Sequence, residues 1–135
     1  MGGLRKILIV EDSIELRDIY KLFFTQKGFE VETALDGDEG LEKAKEFHPD
    51  LVFIDIMMPK KDGYQVLKEL RHNPQYGCTK AKLVILTNLG DASKVSPEVS
   101  HDMDGYVIKA EVDLPDLLDV IKSFEENDTK GGQNE

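Results

Sequence analysis

The segment from Leu51 to Gly63, LVFIDIMMPKKDG, decides the fold. Its first four residues are all apolar, which is typical of a strand that is buried on both faces of a sheet. Asp55 ends this run and opens a loop that contains proline and glycine. In open α/β sheets the functional side chains lie outside the carboxyl ends of the strands. Asp55 is therefore the first candidate for a functional residue.

Similar runs recur along the chain and alternate with segments of helical spacing. This alternation is the sequence signature of βαβ units around a parallel sheet. Three of the runs are continuously apolar, so we expect them to be the central strands, with helices on both faces. The predicted strands are residues 6–11, 30–34, 51–55, 82–87 and 104–108.

Four segments between or after these strands carry apolar residues at helical spacing. The first has Ser13 as its N-cap and stops at Gly28, and the last begins after Asp113 with Pro115 in its first turn. The second and third are predicted at about 38–47 and 64–72. Their apolar residues are predicted to form the core.

The fourth helix and the carboxyl terminus are less regular. Residues 90–101 are poor in leucine and contain Pro97, so we expect a short or broken helix that starts with Ser96 as cap and Pro97 as first residue. Residues 127–135 are polar and lack a period, which predicts a flexible tail. We therefore expect one domain over residues 1–126.

The composition restricts the classes of function. Apolar residues make up 40% and charged residues 33% of the 135 residues, as in globular domains. With 27 acidic and 17 basic side chains, the net charge of -10 would repel a nucleic-acid backbone, so we expect no direct nucleic-acid binding. No segment has the length of a membrane span or the pattern of a signal peptide, and Cys78 has no partner for a disulfide. We expect a cytoplasmic protein without membrane insertion.

Reactive residues follow four of the predicted strands. Glu11 and Asp12 follow or end the first strand, Asp55 ends the third, Thr87 ends the fourth and Lys109 follows the fifth. Because the carboxyl ends of parallel strands meet at one edge of a sheet, these side chains are expected to lie together.

This set of residue types fits phosphoryl transfer. Three neighbouring carboxylates need either a cation or a raised pKa, and Mg²⁺ prefers a few carboxylates with water and phosphoryl oxygens. Because side chains alternate along a strand, we expect Asp12 as a direct ligand and Glu11 as a ligand through water. Asp55 is then the nucleophile, while the Lys109 ammonium and the Thr87 hydroxyl stabilise the phosphoryl group.

These residues resemble the receiver domain of two-component response regulators, and the resemblance covers about residues 6–124. The matching positions are Val10-Glu11-Asp12, Ala34, Asp36-Gly37, Pro49-Asp50, Asp55, Met58-Pro59, Asp62-Gly63, Thr87, Tyr106 and Lys109.

The resemblance implies a flavodoxin-like, doubly wound (βα)5 fold with a five-stranded parallel sheet in the order 2-1-3-4-5. It implies that Asp55 accepts a phosphoryl group from a sensor histidine kinase or a histidine phosphotransfer protein. Mg²⁺ would be held by Glu11, Asp12, Asp55 and the backbone carbonyl of Met57. Such a domain catalyses only its own phosphorylation and slow dephosphorylation, and is not an enzyme in the usual sense.

The resemblance also implies a conformational switch. Thr87 moves towards the phosphoryl group and Tyr106 turns inward, which reshapes the face made by the fourth helix, fifth strand and fifth helix for a downstream protein. Such a switch is a charge change that biases a two-state element.

Three residues depart from the family pattern. Ala110 stands where the family has proline after the lysine, often after a cis bond, and cis before alanine would cost about 2.5 to 4 kcal/mol. Asn88 follows Thr87 where a smaller residue is usual, and Gly40 replaces an alanine at about 1 kcal/mol of helix propensity. None of the three removes a proposed chemical role.

Two other classes of protein share part of this pattern. A haloacid-dehalogenase-type phosphatase has a second acid two residues after its nucleophile, where this sequence has Met57. A flavodoxin-like carrier needs a phosphate loop rich in Ser, Thr and Gly, where this sequence has Glu11-Asp12-Ser13-Ile14. The sequence ends soon after the last helical pattern, so we expect a stand-alone receiver that signals through protein contacts, the alternative being a receiver that is part of a longer regulator.

Overall fold

The computed structural model describes residues 4–56, 58, 62–87, 97–109 and 113–134. The strands are Lys6–Val10 (β1), Glu30–Ala34 (β2), Leu51–Asp55 (β3), Lys82–Thr87 (β4) and Gly105–Ile108 (β5). The helices are Ile14–Gln26 (α1), Gly37–Phe47 (α2), Gly63–His72 (α3), Pro97–Asp102 (α4) and Leu114–Asn134 (α5), and a 3₁₀ turn covers Pro74–Tyr76.

The strands form one parallel sheet in the order β2-β1-β3-β4-β5, as predicted. β1 pairs with both β2 and β3, and Val10 lies opposite Ala34 on one side and Ile54 on the other. All five strands therefore point their carboxyl ends to the same edge. The order reverses beside β1, which is where sheets of this kind place their ligands.

The core has two layers, one on each face of the sheet. Side chains of β1 alternate between them, because Leu8 and Val10 pack with α2 and α3, whereas Ile7 and Ile9 pack with α1 and α5. β3 does the same and is buried along its whole length. Each fully buried Leu or Ile side chain contributes roughly 1.5 to 3 kcal/mol, so the central strands are the most strongly held part of the sheet.

The predicted boundaries agree closely with the observed elements. The first and last strands are each one residue shorter than predicted. Ser13 caps α1 by accepting a hydrogen bond from the backbone N–H of Leu16. The described part of the fourth helix is the short segment Pro97–Asp102. The residues before it, including the proposed cap Ser96, lie outside the described residues, so the predicted start of this helix stays a prediction.

The end of α5 differs from the prediction. The backbone is helical as far as Asn134, so the predicted boundary at residue 126 falls inside α5. The flexibility of residues 127–135 stays a prediction. In the described part of the chain, no helix has the length and apolar character needed to cross a membrane.

The packing of α2 against β1 explains why position 40 is a glycine, which the sequence alone did not reveal. A Cβ atom at this position would lie 2.9 Å from Cγ2 and 3.1 Å from Cγ1 of Val10, which is closer than ordinary contacts. The glycine thus lets α2 lie directly on β1, next to the acidic residues that follow that strand. Glycine at position 40 lowers the helix propensity of α2 but allows α2 to pack more closely against Val10, the residue before Glu11.

Candidate functional site

Three carboxylates meet at the carboxyl edge of the sheet. Ligand atoms of Glu11, Asp12 and Asp55 all lie within 4.8 Å of one another. Glu11 and Asp55 are buried and Asp12 is exposed. The register explains this grouping, since Val10 is paired with Ile54 and the residues that follow them are therefore neighbours. The predicted convergence of these three residues is confirmed.

Lys109 completes the cluster from the end of β5. Its Nζ lies 2.8 Å from Oε1 of Glu11 and 3.2 Å from Oδ2 of Asp55. Burial acts to lower the pKa of this ammonium, but the hydrogen bond to Glu11 and the charge of Asp55 outweigh it, so the pKa of Lys109 is raised. Lys109 is therefore charged at neutral pH and is an internal counter-ion of Glu11 and Asp55.

The other oxygen of Glu11 is held by the start of α1. Its Oε2 accepts a hydrogen bond of 3.0 Å from the backbone N–H of Ser13. Ser13 in turn caps the helix, so the Glu11 side chain is fixed between a helix N-terminus and the Lys109 ammonium. Sequence patterns do not indicate this bond, although they do predict Ser13 as the cap.

Thr87 and Tyr106 lie on the neighbouring strands β4 and β5. Thr87 is the last residue of β4, is buried, and lies opposite Ile108, the residue before Lys109. Tyr106 is paired with Ile85 and is 49% exposed. Thr87 is therefore at the carboxyl edge of the sheet, where the site lies. Tyr106 is two residues further from that edge, in the same pair of strands, and is on the molecular surface.

The loop after Asp55 is fixed at its far end by the start of α3. Asp62 and Gln65 form a reciprocal capping box, and the N–H of Gly63 donates to the carbonyl of Ile56 over 3.0 Å. A Cβ on Gly63 would lie 2.4 Å from the carbonyl oxygen of Asp55. This contact was not predicted from the sequence, although an Asp with Gln three residues later is a recognised signal for a helix start.

Tyr20 is a further residue in the electrostatic field of the site. It is a buried residue of α1. Burial raises the pKa of its hydroxyl, the charges of Glu11 and Asp55 raise it further, and Lys109 opposes them. Its position in an apolar helical stripe identifies it only as a core residue, so sequence patterns could not reveal this proximity.

The donor set fits Mg²⁺. Asp12 is exposed and lies beside the buried carboxylate of Asp55, so oxygen ligands are available together with space for water. Among the described residues, the three carboxylates face one ammonium, which leaves an excess of negative charge that a divalent cation would neutralise. Met57, Asn88 and Ala110 lie outside the described residues, and so does the bond that joins Lys109 to Ala110.

The pattern of the response regulator receiver domain matches residues 7–122. This range covers most of the chain and includes all the site residues discussed above. The chain belongs to the response regulator receiver domain family.

Individual relatives agree with this assignment. The chain is 40% identical over 105 residues to the probable transcriptional regulator ycf27 of Cyanophora paradoxa, covering 78% of this chain and 42% of that protein. It resembles the structure of the response regulator TrrA from Thermotoga maritima in complex with Mg²⁺ and BeF, with a TM-score of 0.76, 30% identity and coverage of 89% and 98%. It also resembles the chemotaxis protein CheY4 of Vibrio cholerae, with a TM-score of 0.74, 29% identity and coverage of 90% and 98%.

The chain spans about half or less of the length of the curated relatives that it matches. What it shares with them is the receiver domain, which acts as a phosphoacceptor in two-component signalling. The phosphatase and the flavodoxin-like carrier are not favoured. The expectation of a stand-alone receiver stays a prediction.

Proposed function

We propose that Asp55 is the phosphoacceptor and that it takes the phosphoryl group from a phosphohistidine. The observation that carries this proposal is the position of its carboxylate, at the end of a central strand, between two acidic neighbours and an ammonium 3.2 Å away. In the reaction, a carboxylate oxygen of Asp55 attacks phosphorus and the N–P bond of the donor breaks. The imidazole leaves with the electron pair and takes a proton from solvent.

The acidic residues divide the work of holding Mg²⁺. Asp12 and Asp55 would bind it directly, Glu11 would reach it through water, and the family pattern adds the backbone carbonyl of Met57 as a further ligand. Bound Mg²⁺ would screen the carboxylates and contact the phosphoryl oxygens. The compact oxygen cluster of the three acids supports this arrangement. The complex of TrrA with Mg²⁺ and BeF is consistent with it.

Lys109 and Thr87 act on the phosphoryl group once it is attached. The Lys109 ammonium already lies within 3.2 Å of Asp55 and needs little movement to reach a phosphoryl oxygen. The Thr87 hydroxyl donates the second hydrogen bond, and Tyr106, half exposed before phosphorylation, turns inward as Thr87 moves. The surface formed by α4, β5 and α5 then changes its shape for a downstream protein.

The partners of this proposal are proteins. The donor is a sensor histidine kinase or a histidine phosphotransfer protein, and the target binds the α4-β5-α5 surface. We infer that the chain catalyses only its own phosphorylation and slow dephosphorylation and turns over no separate substrate. A net charge of -10 argues against direct binding of nucleic acid by this domain. The absence of membrane insertion and the cytoplasmic location stay predictions.

Incubation with a small acyl or amido phosphate tests the chemistry without the cognate kinase. In the presence of Mg²⁺, intact-mass spectrometry should detect one added phosphoryl group per chain. Asp55→Asn should abolish the addition, whereas Asp119→Asn, at an exposed position of α5, should leave it unchanged. Phosphorylation of Asp55→Asn, or persistence of the reaction in EDTA, would contradict the proposal.

A further inference from the structure

The carboxyl end of α3 is bonded to the carboxyl end of α4. The Arg71 guanidinium donates from Nε to the backbone carbonyl of Asp102, the last residue of α4, over 2.9 Å. Nε2 of His72, the next residue of α3, lies 2.8 Å from Oδ1 of the same aspartate. The last carbonyls of a helix have no partner within it, and Arg71 supplies a donor for one of them. Two consecutive residues of α3 therefore hold both the main chain and the side chain of Asp102.

The same guanidinium is bonded to the segments that precede β4 and β5. Nη1 donates to the backbone carbonyls of Thr79 and Ala81 at 2.8 and 3.1 Å. Nη2 pairs with Oδ2 of Asp104 at 2.7 Å. Asp104 is in turn bonded to β4, because its Oδ2 accepts the N–H of Leu83 and its own N–H donates to the Leu83 carbonyl, both at 2.8 Å. All three nitrogens of Arg71 thus have acceptors that belong to the sheet or to α4.

This group of four side chains lies at the amino edge of the sheet. We call it the Arg71 anchor, and it consists of Arg71, His72, Asp102 and Asp104. β5 begins directly after Asp104 and leads to Lys109 at the acidic site. The anchor and the site are therefore at opposite ends of one strand, about 13 Å apart along its backbone.

The bonds of the anchor outnumber those that phosphorylation offers. The side chains of Arg71 and Asp104 are only 18% and 28% exposed, and Arg71 makes four charge-assisted bonds. In the proposed function, the phosphoryl group gains one bond from Lys109 and one from Thr87. A ligand shifts an equilibrium only by as much as its interactions differ between the two states. We therefore expect the anchor to stay formed in both states.

We propose that Arg71 is a positioning residue for the α4-β5-α5 surface and that the Arg71 anchor is the fixed end about which this surface changes. The carboxyl end of α4 and the start of β5 keep their places when Asp55 is phosphorylated. The change is confined to the parts of α4 and β5 that lie nearer the acidic site. This inference rests on the proposed function, because the phosphoryl group drives the change.

The anchor has a consequence for Tyr106. This residue follows Asp104 by two positions, so its backbone lies close to the fixed end of β5. Its ring then turns inward by rotation of the side chain, while β5 keeps its register with β4. Without the anchor, α4 and β5 would be free to move as a whole, and the surface would be less precisely positioned for its target.

Amide NMR on the intact chain tests the anchor, with and without an excess of a small phosphodonor and Mg²⁺. Hydrogen exchange of the Leu83 and Asp104 amides reports the anchored end, because both amides donate to a partner within it. The chemical shifts of the Thr87 and Ile108 amides report the end near the site. Intact mass gives the extent and the rate of phosphorylation.

The test variant is Arg71→Ala, and it has two controls. Lys68→Ala removes one positive charge from an exposed position of α3. Gly28→Ala introduces strain at φ +97°, far from the anchor in the fold, and controls for a general loss of stability.

In the wild type, phosphorylation should shift the Thr87 and Ile108 signals and change the exchange rates of Leu83 and Asp104 by less than threefold. In Arg71→Ala, phosphorylation should change these two exchange rates by more than threefold, because the end of α4 is no longer held. The rate of phosphorylation should stay within twofold of the wild type, since Arg71 lies at the opposite edge of the sheet. Both controls should behave like the wild type.

Two results would overturn the inference. One is a change of more than threefold at Asp104 when the wild type is phosphorylated, because the anchor would then move with the switch. The other is an Arg71→Ala protein in which phosphorylation changes the exchange rates by less than threefold, because a purely structural role speeds exchange equally in both states.

Arg71→Lys replaces Arg71→Ala if the latter does not fold. It keeps the charge beside Asp104 but cannot reach all the acceptors, so the same change of more than threefold must appear. Failure of the wild type to become phosphorylated at Asp55 would refute the proposed function, and this inference with it. Intact mass reveals that failure before any exchange is measured, so the two failures are distinguishable.

Discussion

Gly63→Ala tests how closely the start of α3 is packed against the loop that begins after Asp55, called here the acceptor loop. The glycine is the first residue of α3, and its missing side chain leaves room for the backbone of Asp55 and Ile56. An added Cβ would lie 2.4 Å from the Asp55 carbonyl oxygen and 2.7 Å from the Ile56 Cα. Both neighbours are backbone atoms, so they cannot move aside by changing a rotamer.

The size of the effect follows from these distances. Real Cβ atoms essentially never approach other atoms within 3.0 Å, so α3 and the loop must separate by at least about 0.6 Å. Overpacking of this kind costs about 1 to 3 kcal/mol of unfolding free energy. Alanine favours helix over glycine by at most about 1 kcal/mol, which offsets part of the loss. We expect Gly63→Ala to be destabilised by about 1 to 2 kcal/mol.

The effect on phosphorylation should be larger than the effect on stability. A displacement of about 1 Å at a reacting group can cost about 100-fold in rate, and Asp55 is the group displaced here. We expect the rate of phosphorylation by a small phosphodonor to fall by about 10- to 100-fold. Urea denaturation measures the stability, and a time course of intact mass measures the rate.

Gly28→Ala is the matched control. Gly28 has φ +97°, so alanine is strained there, but a Cβ would meet nothing within 4 Å. It lies before β2, at the end of the sheet opposite the site. This variant should lose about 1 to 2 kcal/mol and keep the wild-type phosphorylation rate. The reasoning is refuted if Gly63→Ala reacts as fast as the wild type, or if Gly28→Ala is slowed equally.

Three more predictions concern packing and burial away from the acceptor loop. Arg71 donates hydrogen bonds to the backbone carbonyls of three residues and forms an ion pair with Asp104 at 2.7 Å. Arg71→Ala should therefore lower the free energy of unfolding, measured by urea denaturation, by about 2 to 3 kcal/mol. Arg71→Lys should not restore it, because one ammonium cannot reach all these acceptors. Gly40→Ala should destabilise the wild-type protein but have a smaller effect in a Val10→Ala background, because the Val10 side chain is what the new Cβ would meet. A double-mutant cycle should give a coupling free energy of about 1 kcal/mol. Additive effects of the two substitutions would refute the contact. Burial raises the pKa of the Cys78 thiol to about 11, so very little thiolate is present at pH 7.4, and an aromatic disulfide reagent should react slowly until urea unfolds the protein. Rapid reaction of the native protein would contradict this.

Much of the fold could be predicted because local patterns and tertiary packing agree. The apolar run that ends at Asp55 predicts a central strand, and that strand is buried along its whole length. Ser13 predicts the start of α1 where the structure has it. The grouping of Glu11, Asp12 and Asp55 could be predicted as well, because parallel strands bring their carboxyl ends to one edge.

The remaining features depend on distances that no periodic pattern encodes. The sequence does not say that the side chain of Glu11 reaches both Lys109 and the N–H of Ser13, since one contact depends on the position of the end of β5 and the other on the turn between β1 and α1. It does not say that Gly63 touches the Asp55 backbone, because a glycine in a turn is ordinarily explained by its dihedral angles. The length of α5 is missed because its last residues have no apolar period to extend the prediction.

The hydrogen bonds that Thr87 and Lys109 can make limit how far phosphorylation can shift the equilibrium between the two states of the proposed switch. Thr87 lies opposite Ile108, next to Lys109, and Tyr106 is two residues back along β5. Moving a two-state equilibrium from 1:99 to 99:1 requires about 5.5 kcal/mol. Two new hydrogen bonds to a charged phosphoryl group, from Lys109 and Thr87, contribute about 1.5 to 3 kcal/mol each, so both are needed to approach that value.

Removal of one of these bonds should therefore leave the two states mixed. In Thr87→Ala, phosphorylation should still occur, but the ratio of switched to unswitched molecules should fall by roughly 10- to 100-fold, which corresponds to the loss of about 1.5 to 3 kcal/mol. ¹⁹F NMR of fluorotyrosine at Tyr106 would measure the ratio in the phosphorylated protein. Thr25→Ala, an exposed position in α1, should match the wild type. A phosphorylated Thr87→Ala protein with the wild-type ratio would show that the hydroxyl does not transmit the signal.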